Sequence, residues 1–229
     1  PGNTTYNNDY RCIQLNNTYQ GIPLAAYVDQ LVGVKITGES SGITAVVNKV
    51  LLDQDSENNN LTLYVNYIGS STANNSTITF ADGEELSADT TITSGLLGNT
   101  AITAGTPFGV TIASGAAATG SSFSIQEGVY FARGQFVQCQ AETLVLDQYS
   151  QDPNYRIGFF VDEEIITSDL DESLNDNSQG YNNYGAPGAD RLKISLSLFK
   201  KSLDDNNDTN FIELGVVTDG ALKSTPREG

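Results

Sequence analysis

Apolar and polar residues alternate in short runs along most of this chain, and the period is two, with no sustained helical repeat. In LTLYVNYI, Leu61, Leu63, Val65 and Tyr67 share one face, while Thr62, Tyr64, Asn66 and Ile68 share the other. A strand with one core face and one amphipathic face is therefore expected over 61–68. Similar runs over 32–37 and 44–52 predict two more strands, separated by the turn-forming stretches GESSG (38–42) and DQDSENNN (53–60). A strand over 77–80, a turn at Asp82-Gly83 and short runs over 101–103 and 108–113 extend this into a meander or small barrel over 31–113.

SGAAATGSS (114–122) is small and polar, and it reads as a linker. Beyond it, strands are expected over 123–126, 128–132, 135–140, 142–148 and 155–165, with Arg133-Gly134 as a tight hairpin turn. In the run over 190–199, Leu192, Ile194, Leu196 and Leu198 alternate with Arg191, Lys193, Ser195 and Ser197, and a last strand is expected over 211–217. Between them lies a long connection, 167–189, of a length at which loops are usually functional or anchored to a partner. A helical turn over 169–174 fits there, with Ser168 as its cap. Residues 1–30 mix Asn and Tyr without a period, which predicts an extended arm or linker. The expected fold class is all-β: two small antiparallel domains, 31–113 and 123–229, of meander, barrel or sandwich type, preceded by that arm.

Composition narrows the function. The chain has 229 residues and a formal net charge of -17, from 28 acidic against 11 basic side chains. The basic residues are scattered, so nucleic acid and anionic membranes are disfavoured as partners. No apolar run approaches the roughly 20 residues of a membrane-spanning helix. The chain starts at Pro1, without an initiating Met or a signal peptide, which predicts a portion of a longer or processed polypeptide.

Histidine is absent and Cys occurs twice. The usual neutral-pH acid/base is thus missing, and zinc sites built on His or Cys clusters have almost no ligands. Cys12 and Cys139 show no local disulfide spacing and read as two free, partly buried thiols. DLDESLNDNSQG places Asp169, Asp171 and Ser173 at the first, third and fifth positions of a calcium loop. Leu174 then stands where such a loop needs Gly, and Gly180 where it needs a bidentate Glu. Asp162, Glu163 and Glu164 alternate faces on a strand, which argues against a facing carboxylate pair for glycoside hydrolysis. GAPG (185–188) lacks the Lys and hydroxyl of a phosphate loop. No catalytic residue, metal or cofactor is expected.

Four segments in order carry a resemblance: EGVYFARGQFVQC (127–139), ETLVLDQYSQDPNYRIGFFVDEEIIT (142–167), DESLNDNSQGYNNYGAPGADRLKISLSL (171–198) and DTNFIEL (208–214). They resemble a domain of unknown function found in virion structural proteins of tailed phages, especially cyanophage-type myoviruses, associated with baseplate or tail fibre. Within them the motif residues are Asp147, Gln148, Tyr149, Tyr155, Arg156, Asp190 and Arg191. GVKITGESSGITAVVNKV with LTLYVNYI and FADGEEL, between residues 33 and 86, looks like a small β module of such proteins.

The resemblance implies a virion protein assembled in the host cytoplasm. Its expected partners are other virion proteins and copies of itself, and it implies no catalytic residue. The sequence itself offers a contact surface in the long loop, where Tyr181 and Tyr184 give rigid aromatic area and Asp169, Asp171, Asn175 and Asn183 give adaptable hydrogen bonding. An adhesin module that binds host-surface glycan is the alternative, and a tail-associated polysaccharide hydrolase ranks below it.

Overall fold

The computed structural model describes residues 4–70, 78–93 and 101–223. The period-two runs are strands in antiparallel sheets, and the helical segments among the described residues are 3-10 turns of three or four residues. Two compact units result. One comprises Asn7–Ser122 with Asp147–Gln151; the other comprises Phe123–Leu146 and the chain from Asp152 on, together with Thr4, Thr5 and Tyr6.

The first unit takes in β1 (Thr4–Leu15) from Asn7 on, where an extended arm was expected. The arm over 1–30 is thus corrected. β1 is interior, pairing with β6 (Leu61–Gly69) in the register Cys12↔Tyr64 to Leu15↔Leu61, and Ile13 and Leu15 are fully buried. Asn- and Tyr-rich polarity over 3–10 hides this, because the apolar residues that bury the strand lie only at its end. The rest of the expected arm folds into a small hairpin, β2 (Thr18–Tyr19) with β3 (Ile22–Pro23), and 3-10 turns that bury Leu24, Val28 and Leu31.

β4 (Lys35–Gly38), β5 (Thr44–Leu51), β7 (Glu85–Ala88) and β10 (Pro107–Val110) complete the unit's main sheet. It runs in the order β10-β7-β4-β5-β6-β1-β11, with β11 spanning Ala117–Ile125. β8 (Ile92–Thr93) and β9 (Ala101–Ile102) form a separate pair. The expected linker over 114–122 is therefore corrected as well: Ala116 is fully buried and β11 starts one residue later. Small side chains are needed there, since a Cβ on Gly120 would stand 2.4 Å from the Gln148 carbonyl oxygen. Of the strand expected over 77–80, Thr77 lies outside the described residues, and 78–80 is irregular.

Ile13, Leu15, Leu63, Val65 and Phe108 belong to this unit's core. β6 is buried on both faces through Val65, so the amphipathic face expected over 61–68 is corrected. Tyr64 is fully buried beneath Tyr10, with ring centroids 4.5 Å apart, and Thr62 is sealed by Tyr149. Glu84 is buried too. Its carboxylate accepts from Ala81 N (2.6 Å), Ser41 N (3.0 Å) and the hydroxyls of Ser40 (2.9 Å) and Ser41 (3.0 Å), which fixes the GESSG turn.

In the second unit, β12 (Gly128–Ala132) and β13 (Gln135–Cys139) form the hairpin expected at Arg133-Gly134. The two turn residues have φ of 52° and 80°, the paired positive values of a two-residue type I′ turn, and Gly134 supplies one at no steric cost. β14 spans Glu142–Asp147, and within this unit Thr143 Oγ1 lies 3.0 Å from Ser124 Oγ. A four-stranded sheet follows in the order β16-β15-β17-β18, from β15 (Tyr155–Ile166), β16 (Arg191–Ser202), β17 (Phe211–Thr218) and β18 (Ala221–Lys223). β15 and β16 pair without interruption from Tyr155↔Ser202 to Ile166↔Arg191. Phe123, Leu146, Ile157, Phe159, Leu198 and Val217 are buried in this unit's core. A β-bulge at Ile157/Gly158 adjusts β17 against β15, and Gly158 is required there: a Cβ would meet Ile212 O at 2.2 Å.

Candidate functional site

The connection between β15 and β16 is held by its own hydrogen bonds. Asp176 is its hub: its amide donates to Ala186 O (2.9 Å), its carbonyl accepts from Gly185 N (2.8 Å), and its carboxylate takes Ser178 N (2.8 Å) and the Asn183 side-chain amide. Asn175 bridges to Pro187, and Leu174 is buried at the base, with the chain at Gly188 passing so close that a Cβ would lie 2.0 Å from Leu174 O. The expected helical turn is a 3-10 turn over Glu172–Leu174. Its cap is Asp171 rather than Ser168, because the Asp171 carboxylate accepts from Ser173 N at 2.9 Å.

Of the residues expected to make contacts, Asn183 is turned inward to the Asp176 carboxylate, while Tyr181 and Tyr184 stand 73% and 58% exposed. Asp169 is exposed in the preceding turn, and Asp190 is exposed before β16. Arg191 starts β16 opposite Ile166. Hydrogen bonding from Ser173, with a smaller Coulombic contribution from Arg191, holds the Asp171 carboxyl below the usual carboxylate range. Ser178 does the same for Asp176. These carboxylates are engaged by amides and hydroxyls. Among the described residues no group of three or more His, Cys, Asp or Glu side chains has metal-holding geometry.

The other motif residues work inside the fold. Arg156 lays its guanidinium fork on two carboxylates: Nε to Glu213 Oε2 at 2.6 Å, and both terminal nitrogens to Asp208, at 3.0 and 2.7 Å. It also donates to Asp205 O at 2.5 Å and lies 5.5 Å from the centroid of the Phe211 ring. Asp208 and Glu213 push the Arg156 pKa up, so the group stays charged, and Arg156 in turn depresses Asp208. Asp208, Phe211 and Glu213 all belong to DTNFIEL, so this segment and Arg156 form one clamp between β15 and β17. Beside it, Lys200 Nζ sits 4.7 Å from the Tyr155 ring centroid.

Asp147, Gln148 and Tyr149 close the first unit. Tyr149 OH is 2.6 Å from Ser56 Oγ and 2.8 Å from Thr62 Oγ1. The Gln148 side-chain amide takes Glu57 N at 2.7 Å and donates to Asp55 O at 3.0 Å. Asp147 N donates to Ser121 Oγ at 3.2 Å. No apolar period marks DQYSQ as an anchor; its polar side chains satisfy the 53–57 turn, a role that only the packed chain shows.

A protein-family model matches residues 78–228, a stretch running from just ahead of β7 past β18, and its description is a domain of unknown function, DUF4815. The chain belongs to this family. The DUF4815 match starts well upstream of Glu127, where the motif segments begin, and it includes strands of both compact units. All of the loop, the Arg156 clamp and the Asp147–Gln151 segment lie within it. No curated protein and no solved structure matches the chain.

Both thiols are free and buried. Burial pushes Cys12 up to about 12 and raises Cys139 as well, so neither is a reactive thiolate near neutral pH.

Proposed function

We propose that this DUF4815 chain is a tailed-phage virion structural protein, a baseplate or tail-fibre-linking component built from β modules and acting through protein–protein contacts. The observation that carries this reading is the β15–β16 loop, whose backbone is fixed by Asp176 while Tyr181 and Tyr184 project into solvent. A pre-ordered loop presents aromatic area at low entropic cost, as contact surfaces require. The motif resemblance supplies the virion context, and self-association with neighbouring virion proteins follows from it, with assembly in the host cytoplasm. The reading is non-enzymatic and needs no cofactor. It is supported by the missing histidines and by acidic side chains that serve as caps and clamps.

The second reading, recognition of a host-surface glycan, rests on the same two exposed rings beside amide and carboxylate groups, since an aromatic face can stack on a sugar. Tyr181→Ala combined with Tyr184→Ala separates the readings. The variant should fold with unchanged thermal stability and fail to incorporate when supplied in trans to a phage lacking the protein. Normal incorporation with loss of host adsorption would favour the glycan reading, and normal behaviour in both assays would refute a contact role for the loop.

A further inference from the structure

The β12–β13 hairpin turns one face inward and leaves the other uncovered. Tyr130 and Val137 are an inward pair: the Tyr130 ring stands 4.7 Å from that of Phe159, and Val137 is buried. Alternation therefore puts Val129, Phe131 and Phe136 on the opposite face, where they are 61%, 66% and 79% exposed. Phe131 and Phe136 are cross-strand partners with ring centroids 5.4 Å apart, so their contact is one between two exposed rings.

The β15–β16 pair adds to this surface. Its core face buries Phe159, Val161 and Leu198, but further along the same face Ile165 and Leu192 stand opposite each other at 63% and 60% exposure. Phe136 and Leu192 line one groove of about 480 Å³, together with the amides of Gln135 and Gln138, so the two apolar areas adjoin. With about 200 Å² for a whole phenylalanine and somewhat less for the aliphatic residues, these five side chains expose about 600 Å². That is the upper end of the roughly 300–600 Å² found for the largest apolar patch on a monomer.

We propose that this patch is a self-association surface, closed by the same patch of a second copy about a two-fold axis. Area and charge select that occupant. Two such patches face to face remove about 1,200 Å², the size at which stable interfaces begin, before any polar rim is counted. Locally the patch offers little net charge although the chain carries -17: Glu163, the acid in the β15–β16 stripe, has Arg133 Nε 3.7 Å away. A strongly charged partner would find no concentrated opposite charge here, whereas a second copy brings apolar area to apolar area. Gln135 and Gln138 each carry a donor and an acceptor, so a two-fold copy can satisfy them. The inference rests on exposed apolar area and uses neither the virion reading nor the Tyr181/Tyr184 loop.

Sedimentation velocity on the full chain tests it. A dimer should form by about 10 μM chain. It should strengthen as salt rises from about 0.01 M to about 1 M, because screening then shrinks the reach of the -17 charge from about 30 Å to about 3 Å. Phe136→Glu and Leu192→Glu, each at an exposed position, should weaken dimerisation about tenfold or more and leave thermal unfolding unchanged. Val32→Glu, at an exposed position of the first unit, adds the same charge and should leave the dimer intact, as should Tyr181→Ala combined with Tyr184→Ala. In a mixture of isotope-labelled and unlabelled wild type, intermolecular NOEs should reach the Phe131 and Phe136 rings, and this readout carries the test if a variant fails to fold. A monomer at every concentration and salt would overturn the proposal and leave a different protein as the occupant. So would a dimer insensitive to both glutamate variants, one lost in the tyrosine variant, or species larger than a dimer that grow with concentration.

Discussion

Replacing Arg156 with alanine should cost about 3 kcal/mol, and the figure follows from what the guanidinium touches. The Arg156 side chain is 14% exposed, and the bond from Nε to Glu213 engages a carboxylate that is itself largely covered. A charge-assisted hydrogen bond of this kind contributes about 1.5–3 kcal/mol, and the lower half applies because Glu213 retains some water. The bond to the Asp205 carbonyl adds about 1 kcal/mol, and contact with the Phe211 ring about 0.5 kcal/mol. Asp208, the more exposed partner, is assigned no energy. Urea unfolding followed by circular dichroism and by NMR signals of Val161 and Glu213 measures the loss. Arg156→Lys keeps the charge but not the planar fork and should lose about half as much. A loss below about 1 kcal/mol for alanine, or a lysine variant indistinguishable from wild type, would refute the clamp. The acid limb gives a second readout. Arg156 depresses the folded pKa of Asp208, so this contribution is present above the unfolded value of about 3.9 and disappears as pH falls through the folded value. In Arg156→Ala the Asp208 carboxyl carbon should titrate nearer that unfolded value.

Gly158→Ala should destabilise by about 2 kcal/mol or more, since the added methyl meets the Ile212 carbonyl and the Phe211 ring; wild-type denaturation would show that the bulge relaxes freely. Tyr64→Phe should leave stability unchanged or raise it by up to about 2 kcal/mol. Its buried hydroxyl has no hydrogen-bond partner among the described residues, and a loss above about 1 kcal/mol would reveal one. The Asp176 carboxyl is also depressed on folding, so loop order should persist at neutral pH and vanish only as pH falls below the ordinary aspartate range. Amide shifts of Ser178 and Asn183 should report that transition, and Asp176→Asn should remove it.

Much of the second unit was legible because its signals are local. Arg133-Gly134 is a turn wherever two β-runs flank it, and the alternation of Leu192 to Leu198 places one face of β16 inward in any all-β arrangement. Asp219-Gly220 is the same kind of signal, with φ of 49° and 67°, and it closes a β17–β18 hairpin that short apolar content left unexpected. The loop's exposed tyrosines were likewise readable from composition, but its hub was not. Asp176 resembles the other acids around it, and only the fold of the loop brings Ala186, Gly185, Ser178 and Asn183 to it.

Periodicity and turn chemistry, which act within a few residues, determined by themselves that this chain is all-β, and roughly where most of its strands lie. Tertiary structure decided which of those strands are interior. β1 looks like a polar arm and becomes a central strand because β6 pairs with it across some fifty residues of sequence. Leu61–Gly69 looks one-sided and is buried on both faces through Val65, because Tyr10 and Tyr149 arrive from distant segments. Arg156 looks like a surface cation and is held because DTNFIEL returns beside it. Burial and charge pairing depend on partners that the local pattern does not specify.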